Sequence, residues 1–167
     1  YEISCRDWSS DVCSSDLTSR TRAIGPVHLY GQMVDMPRLA QIARKHDLVI
    51  IEDAAHCHGG TYDGYKPGQL SRAAAFSFHP GANLGAWGDA GAVVTQHEPL
   101  AQAVLMLSDH GRQSKFEHGE IGMNSRTDAI QAAVLNTKLR YLDQWNKSRR
   151  QVAGWYREDL SSGDACI

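Results

Sequence analysis

Cysteine is scarce in this chain, and no apolar run is long enough to cross a membrane. Four cysteines occur among 167 residues, and two of them, Cys5 and Cys13, lie in an unusual segment that is set aside below. The remaining Cys57 and Cys166 are too few for a disulfide framework, so we expect a cytoplasmic protein. A membrane-spanning helix needs about 20 consecutive apolar residues, and the sequence contains no such run. The sequence therefore predicts no membrane partner.

An excess of one charge is also missing. The chain has 17 Lys and Arg against 19 Asp and Glu, which gives a net charge of −2. Proteins that bind nucleic acid carry a surplus of basic residues. No nucleic-acid partner is therefore expected.

The segment "DWSSDVCSSDL", residues 7–17, differs from the rest of the chain because it is mostly Ser and Asp. Back-translation gives a sequence that resembles a common sequencing-library adapter, with every residue in register. We therefore predict that residues 1–17 are an adapter artefact and exclude them from the reasoning on the fold. The native protein is expected to begin near Thr18.

From residue 18 onward the sequence predicts an α/β domain with a mainly parallel sheet. A short strand that ends in a turn is expected at residues 23–31. Further strands are expected at 48–53, 73–79 and 91–96, and helices at 35–47, 98–111 and 127–160, the last as one helix or two. The run "LVIIED" is apolar up to its two acids, which is typical of a strand buried on both faces. Ligands of such sheets bind at the carboxyl ends of the strands.

One candidate site motif, "EDAAHCHGG", follows the second predicted strand. The Asp53 carboxylate ends this strand and needs a partner, because an unpaired buried charge is unfavourable. A protonated heterocyclic nitrogen would serve, and a cap on the following turn is the alternative. His56, Cys57 and His58 are residue types that bind zinc, but their spacing fits no standard zinc pattern. No metal site is predicted.

The second motif, "FSFHPGANLGAWGDAG", follows the third predicted strand. Ser77 and His79 are two residues apart, so they would share a face of that strand. The glycines at positions 81, 85, 88 and 91 would allow a ligand to approach the backbone closely. The Ser77 hydroxyl could hold a phosphate, although the motif lacks the ending of a Walker A loop. A tight reverse turn is the alternative.

Four segments together resemble a known family. They are "PVHLYGQMVDMPRLAQIARKH", "IIEDAAHCHGGTYDG", "AAAFSFHPGANLGAWGDAGAVVT" and "NSRTDAIQAAVL". In this order they are similar to the DegT/DnrJ (StrS-like) sugar aminotransferases, which are fold-type-I enzymes that use pyridoxal phosphate (PLP). The resemblance covers about Ala23 to Glu158. It implies that residues 18–126 are part of the PLP-binding large domain and that residues 127–167 lead toward a small domain.

The resemblance also implies roles for single residues. Asp53 would pair with the pyridinium nitrogen of PLP, and His56 stands near its phenolic oxygen, where the family usually has Gln. Ser77 would bind the cofactor phosphate. Asn124 would reach the phosphate held by the neighbouring subunit, which implies a homodimer. The parent enzyme would take an amino group from glutamate or glutamine and transfer it to a nucleotide-linked keto sugar, cycling PLP through pyridoxamine phosphate (PMP).

The sequence departs from the family where the Schiff-base lysine is expected. That position lies five residues after Ser77, and here it is Ala82. Neither Lys66 nor Lys115 replaces it by position, and a single base change cannot convert a Lys codon into an Ala codon. Some relatives have His in place of this lysine and act as sugar dehydratases. His79 lies three residues earlier, so we expect it only to line the pocket.

Three functions follow. The first is a fragment of a sugar aminotransferase, inactive as written because of Ala82. The second is a lysine-less member that binds PLP or PMP non-covalently, as a dehydratase-like or sensory protein. The third, a plain α/β domain without a cofactor, conflicts with the ordered motifs. The resemblance also implies an N-terminal segment and a C-terminal small domain, and we expect this chain to lack both. We therefore expect weak cofactor affinity and an exposed apolar surface.

Overall fold

Four strands form one sheet in the order of the chain. A computed structural model describes residues 17–161. The strands are β1 (Ala23–Ile24), β2 (Val49–Asp53), β3 (Ala73–Ser77) and β4 (Gly91–Val94). β1, β2 and β3 are mutually parallel, and β4 runs antiparallel to β3. The mainly parallel α/β sheet is therefore confirmed. The predicted adapter segment lies outside the described residues, apart from Leu17.

The first strand is short and ends in a turn, as predicted for residues 23–31. β1 has two residues, and Leu29–Gly31 forms a short 3-10 turn. Pro26 interrupts the ladder because proline has no backbone N–H to donate. An isolated parallel bridge between Val27 and Asp53 continues the pairing beyond it.

In the part of the chain that the structure describes, four α-helices accompany the sheet: α1 (Met36–Lys45), α2 (Glu98–Ser108), α3 (Ala129–Leu139) and α4 (Leu142–Ser161). The Asp35 side chain caps α1 as predicted, because it accepts a hydrogen bond from the backbone N–H of Arg38 at 3.0 Å. The last helical segment is two helices in succession. None of the helices in the described range is long and apolar enough to cross a membrane.

The core lies on one face of the sheet, under α1. It is a cluster of small and medium apolar side chains: Ile24, Met33, Met36, Leu39, Ala40, Ala43, Ile50, Ala54, Cys57 and Ala74. Burial along β2 alternates, so Ile50 and Glu52 are buried whereas Val49 and Ile51 are 36% and 50% exposed. The expectation that β2 is buried on both faces is therefore wrong for this chain. Most of the second face is exposed in residues 17–161, although Ala73, the register partner of Ile51, is buried.

We call this second face of the sheet the open face. It carries Ile51, Asp53, Ala75, Ser77 and Val93. These residues share a side because Asp53 and Val93 are register partners of Ala75, and side chains two residues apart point the same way. The expected exposed apolar surface is present here and elsewhere. Other exposed apolar side chains include Val94, Leu105, Phe116, Ile121, Ile130 and Trp155.

Candidate active site

Asp53 and Ser77 lie at the carboxyl ends of the neighbouring parallel strands β2 and β3. Asp53 is the register partner of Ala75, and Ser77 lies two residues further along β3. Both side chains are therefore on the open face, at the strand edge where ligands of parallel sheets bind. The structure thus brings together two of the predicted site residues.

The backbone of Asp53 is held firmly, while its side chain keeps free binding capacity. Its N–H donates to the Pro26 carbonyl at 2.9 Å, and its carbonyl accepts from the His28 N–H at 3.0 Å. Its Oδ1 accepts from the Ala55 N–H at 2.9 Å, so Asp53 does cap the following turn. A carboxylate can accept several hydrogen bonds, and this one is exposed, so the cap leaves room for a ligand.

His56 lies on the exposed loop after β2, beside Tyr30. The two rings stack with centroids 5.9 Å apart, and the Tyr30 N–H donates to Nδ1 of His56 at 3.4 Å. Because Nδ1 is an acceptor, the neutral ring carries its proton on Nε2. His56 therefore offers an N–H donor to a ligand.

Ser77 is the last residue of β3, and the chain then makes a tight turn, which was the alternative interpretation of this motif. The Ser77 Oγ accepts from the His79 N–H at 3.2 Å, and the Ala82 N–H donates to the His79 carbonyl at 2.8 Å. Because β3 ends at Ser77, His79 lies in the turn, and the prediction that the two share a strand face is wrong. Gly85 closes the turn, since a Cβ there would lie 2.4 Å from the Pro80 carbonyl oxygen.

Ala82 is half-buried within this turn and presents a methyl group where the resemblance places an amine. One lysine that the sequence reasoning did not consider does lie close by. The Nζ of Lys138, on α3, donates to the Gly85 carbonyl at 2.6 Å. Lys138 is 56 positions from Ala82 in the sequence, so no local sequence pattern predicted that it lies near this turn.

Asn124 belongs to a separate exposed segment between α2 and α3. It forms an isolated antiparallel bridge with Asp109, and its Oδ1 accepts from the Arg126 N–H at 3.5 Å. The Arg126 guanidinium also binds the Asp109 carboxylate. Within residues 17–161, Asn124 shares no hydrogen bond with the other predicted site residues.

The structure also reveals a buried pair that the sequence analysis missed. Nε2 of His28 lies 2.6 Å from Oε2 of Glu52, and both side chains are inaccessible to solvent. The Val34 N–H donates to Nδ1 of His28, so Nε2 carries the proton and donates to the carboxylate. Glu52 also accepts from the Gly68 N–H at 2.8 Å and from the Ser71 hydroxyl.

These contacts determine the charge of Glu52. Burial by itself would raise the pKa of Glu52, but the hydrogen bonds from His28, Ser71 and Gly68 outweigh burial and lower it. Glu52 is therefore an ionised structural residue. The sequence feature that could have identified Glu52 is an acidic residue at an inward-facing position of an apolar strand.

Cys57 and His56 occupy different surroundings although they are adjacent. The Cys57 thiol is buried, and burial, followed by the charge of Glu52, raises its pKa to about 11. His56 is exposed. In the part of the chain that the structure describes, no three His, Cys, Asp or Glu side chains converge as metal ligands.

His58 is a buried imidazole, 5% exposed, whose ring nitrogens have no hydrogen-bond partner in the described range. The ring packs against Phe76 and Phe78, with centroid separations of 5.8 and 5.7 Å. Burial lowers the pKa of His58, and nearby His56 lowers it further. The Ser77 backbone, which is close but outside hydrogen-bonding geometry, opposes both. The ring is therefore favoured in its neutral form.

Together, these observations define an α/β domain with polar side chains at the carboxyl ends of its parallel strands. The sequence model of the DegT/DnrJ/EryC1/StrS aminotransferase family matches residues 8–166. The chain belongs to this family.

Curated relatives have both enzymatic and regulatory names. The chain is 49% identical over 145 residues to dTDP-3-amino-3,4,6-trideoxy-alpha-D-glucose transaminase of Streptomyces venezuelae, covering 87% of this chain and 38% of the relative. It is 47% identical over 153 residues to a pleiotropic regulatory protein of Geobacillus stearothermophilus, covering 90% and 41%. The chain thus spans about two fifths of the length of these relatives.

Solved structures share the fold. DesV of S. venezuelae, in complex with a ketimine intermediate, matches with a TM-score of 0.86 and 47% identity, over 90% of this chain and 40% of that chain. NtdA of Bacillus subtilis, with bound cofactor PMP, matches with a TM-score of 0.70 and 37% identity, over 77% and 29%. The family and these neighbours indicate a cofactor of the PLP type.

The described residues fit non-covalent binding of such a cofactor. Asp53 supplies an exposed carboxylate with free acceptor capacity, Ser77 a hydroxyl at the adjacent strand end, and His56 an N–H donor. The residues do not fit covalent attachment of the cofactor at position 82, because Ala82 has no amine.

Proposed function

We propose that this chain is part of a PLP-dependent aminotransferase that acts on a nucleotide-linked keto sugar, with the lysine position lost. The observation that carries the proposal is the placement of Asp53 and Ser77 on one face, at adjacent strand ends, in a chain of this family. Relatives named as nucleotide-sugar transaminases support the substrate class. Glutamate or glutamine would be the amino donor, and PMP the aminated form of the cofactor.

Each residue would act on a different part of the cofactor. Bound PLP supplies an electron sink for bonds broken at the substrate carbon. The Asp53 carboxylate would accept the pyridinium N–H and favour the charged ring. His56 would donate from Nε2 to the phenolic oxygen, and Ser77 would donate its hydroxyl proton to a phosphate oxygen.

Ala82 decides which part of this chemistry remains. Transamination by this family needs an amine that holds the cofactor aldehyde and then moves a proton between two carbons. The Ala82 methyl group can do neither. The chain as written would therefore bind the cofactor reversibly and would not transaminate.

The absence of the amine favours a second candidate function. A lysine-less member would hold PLP or PMP non-covalently and would act as a dehydratase-like or sensory protein. The regulatory name of one relative supports this alternative. His79 is not assigned the role of the missing lysine, because it lies in the turn beside Ser77.

Three further proposals concern the whole protein. Asn124 would reach the cofactor phosphate of a second subunit, so the parent is a homodimer. Residues 1–17 are an adapter artefact, residues 18–126 belong to the cofactor-binding domain, and residues 127–167 lead toward a small domain. The low cysteine content supports a cytoplasmic location.

The test is to restore the amine. The wild-type chain, A82K and the control A132K, which places a lysine on the exposed side of α3, are each mixed with PLP and dialysed. We expect near-visible absorbance to survive dialysis in A82K alone. Borohydride reduction followed by peptide mapping should then place the cofactor on residue 82. Equal retention by A82K and A132K would contradict the proposed site.

A further inference from the structure

Two loops follow the strands that carry Asp53 and Ser77. The β2 loop, residues 54–60, contains His56, and the β3 loop, residues 78–90, contains Ala82. They follow adjacent strands, but a shared strand edge does not by itself set the distance between the loops. A cofactor that contacts both loops requires this distance to be constant.

Asn146, on α4, is hydrogen-bonded to both loops. Its Nδ2 donates to the His58 carbonyl in the β2 loop at 2.8 Å. Its Oδ1 accepts from Nδ2 of Asn83 in the β3 loop at 3.0 Å. Asn146 is 9% exposed, so water competes little for these bonds.

The direction of this bridge follows from the chemistry of its partners. The His58 carbonyl oxygen can only accept, so the amide nitrogen of Asn146 must face it. The amide oxygen of Asn146 is then left to accept from Asn83. A carboxylate at position 146 could keep the second bond but not the first.

Two other helix residues bind the β3 loop but not the β2 loop. Lys138 donates to the Gly85 carbonyl at 2.6 Å, and Oε1 of Gln131 accepts from the Trp87 N–H at 2.8 Å. Together with the bond to Asn83, these contacts anchor loop positions 83, 85 and 87. Of these three helix side chains, Asn146 alone also binds the β2 loop.

We propose that Asn146 is a positioning residue that sets the spacing between the His56-bearing loop and position 82. This role rests on the proposed function only in that the two loops hold one cofactor. The bridge itself is a property of the chain without ligand. α4 thereby controls the geometry of a site that it does not line.

Hydrogen exchange of backbone amides, measured on the whole chain without cofactor, tests the bridge. The reporter amides are those of Cys57 and Gly60 in the β2 loop, and of Ala82 and Ala86 in the β3 loop, which all donate to loop carbonyls. N146D loses only the bond to His58, so we expect exchange about five-fold faster in the β2 loop alone. N83A loses only the bond to Asn146, so we expect the same acceleration in the β3 loop alone.

The control is S148A, on the same helix. Among residues 17–161 the Ser148 hydroxyl bonds only to the Gln144 carbonyl. S148A should change neither loop. The proposal is overturned if N146D and N83A accelerate the same loop, or if neither differs from S148A. Should N146D fail to fold, N83A against S148A still decides the outcome. In the A82K background, N146D should also slow cofactor attachment, whereas absence of attachment in A82K itself would count only against the proposed function.

Discussion

Glu52 and Asp53 are adjacent carboxylates with opposite surroundings. Glu52 faces the core and accepts hydrogen bonds from His28, Gly68 and Ser71. Asp53 faces solvent on the open face, and among the described residues its carboxylate accepts one hydrogen bond, from the Ala55 N–H. Strand alternation alone separates them, because successive side chains of a strand point to opposite faces.

The comparison shows how one strand serves two purposes. The acceptor capacity of Glu52 is used by the fold, so this residue joins β2 to the segments around His28 and Ser71. The capacity of Asp53 is largely unused by the fold, so it remains for a ligand. A carboxylate with unused acceptor sites at a strand end is thus the better candidate for a binding residue.

The largest expected effect is on the buried member of the pair. E52A leaves the donors of His28 and Gly68 without an acceptor, whereas the Ser71 hydroxyl can still donate to the Ala73 carbonyl, so it should lower the free energy of unfolding by about 3–5 kcal/mol. D53A should change it by about 1 kcal/mol or less, because it removes one exposed cap. Urea denaturation measures both. Equal losses would remove the distinction between the two residues.

Truncating a side chain should destabilise the protein more on the core face of the sheet than on the open face. L39A opens a cavity in the core beneath α1 and should destabilise the chain by about 2–4 kcal/mol. I51A truncates a half-exposed side chain on the open face and should change stability by about 1 kcal/mol or less. If I51A matched L39A in denaturation, the open face would have to be covered in solution.

The pH dependence of stability should separate Glu52 from His58. The pKa of Glu52 is lowered on folding, so its contribution is present above the ordinary value of 4.5 and is lost as the pH falls through the folded pKa. The pKa of His58 is also lowered, so its neutral form stabilises the fold above 6.5 and this contribution is lost below 6.5.

Acidification should therefore weaken the wild-type chain first below pH 6.5 and again below pH 4.5. H58L should flatten the first decline, and E52Q the second, in unfolding free energies measured from pH 8 to pH 3. If H58L kept the wild-type slope between pH 6.5 and 4.5, neutral burial of His58 would be contradicted.

Patterns within a short stretch of sequence were predictable, and contacts between distant segments were not. The periodicity of α1 and its Asp35 cap predicted that helix closely, and the apolar runs located β2, β3 and β4. The bonds that hold the site, from Lys138 to Gly85 and from Asn146 to His58, join positions 53 and 88 residues apart. No local pattern encodes such pairs.

The burial of individual side chains was the other property that the sequence did not predict. The apolar run of β2 predicted two covered faces, but whether a face is covered depends on what packs against it, and α1 covers only one. For the same reason, the sequence analysis did not identify Glu52 as a buried residue. An inward acid is recognisable only when the phase of the strand is known.

The most direct test of this account compares PLP binding to A82K and to A82K/D53N, by titration of the near-visible absorbance. Asparagine keeps the size of Asp53 but cannot pair with a pyridinium charge. The account predicts that D53N weakens binding about ten-fold or more, the loss of one charge-assisted hydrogen bond, with little change in stability. Equal affinity of the two variants for PLP would contradict the assignment of Asp53 as the cofactor's partner.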